Sequence, residues 1–116
     1  MADHNQLGKD GELIAFMILQ RDNYNILHTN WKYKKAEVDI IAEKDDFLIF
    51  IEVKTRGNTK YGKPSDAIDK QKIALYKDAV EGYLEQYPCE LEIRFDVISI
   101  IIGKDETEIE HISNAF

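Results

Sequence analysis

The chain has 116 residues, 44% apolar and 32% charged, enough for one ordinary domain and a balance that excludes collagen-like, low-complexity and disordered classes. Its 15 basic and 22 acidic side chains leave a net charge of −7, which argues against bulk attraction to nucleic acid but leaves a local basic face open. The single cysteine, Cys89, cannot form an internal disulfide, and the chain shows neither a signal-like start nor an apolar run approaching the ~20 residues that cross a bilayer, so a cytoplasmic location without a membrane anchor is expected.

Leu7, Gly11, Ile14, Ala15, Ile18 and Leu19 recur at helical spacing. The run from Leu13 to Leu19 is apolar nearly all round, which predicts a buried first helix that ends near Arg21 and carries Glu12 in its first turn. Ile26 to Tyr33 reads as a strand, with Trp31 and Tyr33 on one face and Lys32 and Lys34 on the other. From Glu37 the pattern predicts strict alternation, Glu37 and Asp39 pointing one way and Val38 and Ile40 the other.

Lys44, Asp45 and Asp46 make a polar turn, and Phe47 to Ile51 is apolar on both faces, as in a central strand, before ending in Glu52, Val53 and Lys54. Residues 57–63 read as a loop. Pro64 and Ser65 then start a second helix, Ser65 being its N-cap candidate, with a buried stripe of Ile68, Leu75, Tyr76, Ala79, Tyr83 and Leu84 and a stop at Pro88. Leu91 to Ile102 is a long strand, and a short one follows around Ile109 to Ile112. A helical crossover brings the fourth strand parallel to the third. The predicted class is α/β, a mixed sheet flanked by helices in the order α-β-β-β-α-β-β, within a single domain over residues 1–116.

Asp39, Glu52 and Lys54 carry the chemistry. Glu52 and Lys54 are two apart on a strand and share a face at the end of the most apolar strand of the chain. Charged groups there must pair, reach solvent or bind a metal, because uncompensated burial costs several kcal/mol. Asp39 lies on the neighbouring strand, within reach of Glu52 across the hairpin. Two facing carboxylates call for a cation, and Mg²⁺ takes one or two carboxylates together with waters and phosphate oxygens. A lysine beside it would orient or deprotonate the attacking water in phosphodiester hydrolysis.

A helix, a hairpin bearing Asp and Glu-x-Lys, and a crossover helix resemble the restriction-endonuclease-like, PD-(D/E)xK superfamily. A closer likeness rests on Gly8, Gly11 and Glu12 as GxxGE, on Asn30 and Trp31, on Glu37 and Asp39 as ExD, and on Phe50 to Lys54 as FIEVK with Arg56. The stretch from Tyr61 to Ile68, Arg94, Phe95 and Asp96 as RFD, and the terminal Asn114, Ala115 and Phe116 complete it. Over residues 7–116 the chain resembles the YraN family, endonucleases predicted from sequence and related to archaeal Holliday junction resolvases. Ala36 stands where that family commonly has Gly. The resemblance implies a DNA endonuclease, with branched or junction DNA as the substrate suggested by kinship. Asp39 and Glu52 would hold Mg²⁺ or Mn²⁺, Lys54 would act on the water, and Glu12 would be a further acidic residue of the catalytic and metal set.

Lys54, Arg56, Lys60 and Lys63 occur between Val53 and Ser65 without an acid, and Lys32, Lys34 and Lys35 precede Glu37. Both clusters flank the proposed site and could contact phosphates, whereas seven acids face Arg94 and Lys104 from Pro88 onward. Glu37 reads as a solvent-facing strand residue, His28 and His111 as structural, and Cys89 as no catalytic thiol. Trp31, Tyr33 and the helix tyrosines read as core. The competing class is a binding or interaction module that keeps the fold without cutting. Symmetric cleavage of two strands would require a homodimer.

Overall fold

A computed structural model describes residues 4–57 and 70–116. The elements are α1 (His4–Arg21), β1 (Asn25–Tyr33), β2 (Ala36–Lys44), β3 (Phe47–Arg56), α2 (Lys70–Gln86), β4 (Glu92–Ile102) and β5 (Thr107–Ile112). The predicted start of the second helix at Pro64 and Ser65, and Ile68 of its stripe, lie outside the described residues.

One five-stranded sheet has the spatial order β1-β2-β3-β4-β5, antiparallel except where β3 and β4 run parallel. The parallel pair follows from α2, which carries the chain back to the start of the sheet. The mixed α/β class and element order therefore match the expectation. None of the described helices is long and apolar enough to cross a membrane.

A helix covers each face. On the α1 side Ala15 and Leu19 pack on Ile40, Ala42, Ile49, Ile51, Ile98 and Ile100. On the α2 side Tyr76, Ala79 and Tyr83 pack on Ala36, Val38, Ile41, Leu48 and Phe50. Each fully buried Ile or Leu stabilises the fold by roughly 1.5–3 kcal/mol before entropic costs, so the two-sided apolar strand β3 anchors both layers.

Two expectations are corrected. The first helix is not buried all round: only Gly11, Ala15 and Leu19 are buried along one line, while Leu13 and Met17 are each 59% exposed. The small residues explain this, because α1 lies so close to β3 that a Cβ on Gly11 would stand 1.9 Å from Thr55 Oγ1. The strict alternation of β2 also fails. Val38 belongs to the core under α2 and Ile40 to the core under α1, so the strand reverses its faces at Asp39.

Candidate active site

The β2–β3 ladder runs from Lys44↔Phe47 to Ile40↔Ile51 and stops there. One step further would set Asp39 across from Glu52. Instead the strands part, and Asp39 Oδ2 accepts the Val53 backbone N–H at 2.8 Å, taking the place of a ladder acceptor. The fork thus holds one carboxylate in the plane of the sheet, while Glu52 on the next strand turns toward α2.

Glu52 is 3% exposed. Its Oε1 receives Lys54 Nζ at 3.1 Å and Lys72 Nζ at 3.0 Å. Its Oε2 is buried with no hydrogen-bond partner among the described residues, as is the Tyr76 hydroxyl. The shared face expected for Glu52 and Lys54 is therefore present as an ion pair. Lys72 is the residue that the sequence argument missed. Its signal was legible, since Lys72 precedes Tyr76 by one helical turn on the stripe that α2 buries.

Burial pushes the Asp39 carboxyl up to about 6, with the Glu52 and Glu12 charges adding to the shift against the Val53 N–H and the Lys72 charge. Burial, then the charge of Glu37, also raises Glu12. Glu12 is not in the first turn, because α1 begins at His4. The helix dipole fades within a turn, so burial and Glu37 govern its ionisation instead. Glu12 lines two adjoining clefts, one shared with Lys9, Asn30 and Asp39 and the other with Lys54 and Arg56. Gly11 places it there by letting α1 close on Thr55.

Among the described residues no group of three or more His, Cys, Asp or Glu is arranged to hold a metal ion. Glu12, Asp39 and Glu52 accordingly do not form a ready three-carboxylate cage. Two carboxylates of this chemistry are what a hard divalent cation would need, because Mg²⁺ is commonly held by one or two carboxylates and completed by water and phosphate. Glu52 has an oxygen without a hydrogen-bond partner among the described residues, and burial, with the neighbouring acids, disfavours ionisation of Asp39.

Arg56 is exposed beside Lys54 at the second cleft, and Lys32, Lys34 and Lys35 are exposed at the β1–β2 turn. Lys60 and Lys63 lie outside the described residues. The RFD residues have a structural part instead. Asp96, with a side chain 0% exposed, accepts two bonds from Arg94 at 2.9 Å each, one contact from His111 at 2.7 Å and the Asn114 N–H at 3.0 Å. His111 is thus tied into the fold, as expected, and His28 packs against Tyr83 and Tyr87.

A family model described as Uncharacterised protein family UPF0102 matches residues 11–100. The UPF0102 protein FP2501 of Flavobacterium psychrophilum is 46% identical to this chain over 116 residues, covering 100% of it and 98% of that protein. A UPF0102 protein of Christiangramia forsetii is 47% identical with the same coverage. The UPF0102 protein BF0634 of Bacteroides fragilis is 42% identical, with 100% of this chain and 96% of that protein covered. The matched region contains Glu12, Asp39, Glu52 and Lys54 and most of the motifs that suggested YraN, leaving out Gly8 and the terminal Asn114, Ala115 and Phe116. The chain therefore belongs to the uncharacterised protein family UPF0102, the YraN family.

Proposed function

We propose that this protein is a divalent-metal-dependent endonuclease of the restriction-endonuclease-like, PD-(D/E)xK type that hydrolyses phosphodiester bonds in DNA. The observation that carries the reading is Glu52. A carboxylate 3% exposed, directly after the apolar run Phe47 to Ile51 of β3, is held on one oxygen by Lys54 and Lys72, has no hydrogen-bond partner for the other among the described residues, and acts by its charge on Asp39 where the sheet opens. A surface ion pair needs none of this burial.

Asp39 and Glu52 would hold Mg²⁺ or Mn²⁺, which supplies Lewis-acid stabilisation of the charge that develops on the phosphate. Lys54 donates hydrogen bonds to the attacking water and to a phosphate oxygen. Lys72 fixes the orientation of Glu52, and Glu12 adds negative potential at the mouth of the cleft. Arg56 stands where it can grip a flanking phosphate. A branched substrate and a dimer that cuts two strands extend this reading.

The test combines Mn²⁺ calorimetry with cleavage of labelled duplex, single-stranded and four-way-junction DNA. Wild type should bind metal and cut. Asp39→Ala should lose both, and Lys54→Ala should keep metal and the fold but lose at least ~100-fold in rate. Undiminished turnover in Lys54→Ala would sink the assignment, and DNA binding without metal dependence or cleavage would make the protein a non-cleaving binding module.

A further inference from the structure

Asn30 is the one non-glycine residue inside a described strand with a left-handed backbone, at φ 51°. The other positive-φ residues, Asn23, Lys34, Asp45, Asp46 and Asn114, all fall in turns. Asparagine tolerates this conformation better than most residues, but in mid-strand it reverses the direction in which successive side chains point. The neighbours display the reversal. Thr29 lines the α1-side cleft with Glu12, whereas Trp31, two residues on, packs edge-on against Tyr83 of α2.

The partner strand reverses at the same place. The pairs Thr29↔Ile40 and Trp31↔Val38 bracket Asn30 on β1 and Asp39 on β2, the one residue of each strand that falls between them. Ile40 serves the α1-side core and Val38 the α2-side core. Both strands of the hairpin thus turn over at one rung. Asp39 is the residue on that rung whose carboxylate leaves the regular alternation and takes the Val53 N–H.

We propose that Asn30 is a positioning residue whose left-handed backbone turns the β1–β2 hairpin and so sets the Asp39 carboxylate at the β2–β3 fork. The conformational part stands by itself; its consequence for metal binding rests on the nuclease reading above.

The experiment compares wild type with Asn30→Gly, Asn30→Ala and Asn30→Val. It reads the Val53 amide resonance and its hydrogen-exchange protection in metal-free protein, and Mn²⁺ affinity by calorimetry. Glycine accepts the left-handed backbone at no steric cost and should keep both signals at the wild-type level. The β-branched valine opposes it most strongly, so Asn30→Val should lose the Val53 signature and weaken Mn²⁺ binding at least about tenfold, a loss typical when the support of a ligand is removed. Asn30→Ala, milder in its demand, should fall between them and serves if the valine variant does not fold. A normal Val53 signature in the valine or alanine variant overturns the proposal. So does a glycine variant as impaired as alanine, which would assign the role to the carboxamide. Loss of the Val53 signature on the predicted pattern, with no Mn²⁺ binding even in wild type, keeps the positioning role and removes the nuclease reading instead.

Discussion

Two half-buried or buried aspartates act in opposite senses on stability. Asp39 has its carboxyl pushed up to about 6 by burial and neighbouring acids. The folded state therefore holds this proton more tightly than the unfolded chain, so the cost of ionising Asp39 is absent below the ordinary aspartate value, grows as pH rises, and is complete above about 6. Asp39→Asn keeps an acceptor for the Val53 N–H and removes the charge. In EDTA at pH 8 urea denaturation should show it to be more stable than wild type by up to ~3 kcal/mol, and at pH 4 the gain should shrink toward zero. A gain that does not vary with pH would refute the account. Asp96 behaves conversely: although burial alone would raise it, bonds from His111, Arg94 and the Asn114 amide hold it below the usual carboxylate range. Its contribution is complete above the unfolded value and is lost as pH falls. Asp96→Ala leaves Arg94 facing an empty partner position and should cost ~3–5 kcal/mol at neutral pH, read from the same denaturation curves. Glu52 and Lys54 were legible as a same-face pair because strand periodicity determines faces. The reversal at Asn30 and Asp39 was not, since a single φ angle leaves no trace in a hydropathy pattern. The Asp96 network was hidden for another reason: its donors His111 and Asn114 come from the end of the chain.

The first helix starts well before the turn expected to carry Glu12. The strands followed from the sequence within a residue or two, because β-strand alternation and the long apolar runs of β3 and β4 admit few other readings. The orientation of α1 did not. Its nearly continuous apolar run suggested burial on all sides, yet closeness to the sheet was determined by Gly11 and Ala15, small residues that hydropathy hardly weights. The consequence reaches the site, since Glu12 follows Gly11 directly. Gly11→Ala should force α1 away from Thr55 and destabilise the protein by roughly 1–3 kcal/mol, the usual cost of overpacking a filled contact. Thr55→Gly introduced into the same chain removes the atoms that the new methyl meets, and a double-mutant cycle should recover part of the loss. Strict additivity of the two changes would show that the contact does not hold the helix.

Over the whole molecule the net charge of −7 hides a division between the two edges of the sheet. β5 and the turn before it present Asp105, Glu106, Glu108 and Glu110 to solvent at one edge. At the other, the turn that joins β1 to β2 exposes Lys34 and Lys35 beside Lys32. The fork between β2 and β3 lies nearer the basic edge, so a polyanion that reaches Asp39 and Glu52 is drawn across the hairpin and repelled from β5. Counterion release makes this measurable, because each neutralised phosphate contributes about 0.9 to the slope of log binding constant against log salt concentration. Replacing Lys32, Lys34 and Lys35 together by glutamine should flatten that slope by up to about 3, as followed by fluorescence anisotropy of a labelled duplex. Replacing Glu106, Glu108 and Glu110 by glutamine should tighten binding at low salt through reduced repulsion while leaving the number of phosphate contacts, and hence the slope, close to wild type. An unchanged slope in the lysine variant would place the nucleic acid elsewhere on the surface, with Arg56 at the second cleft as the next residue to replace.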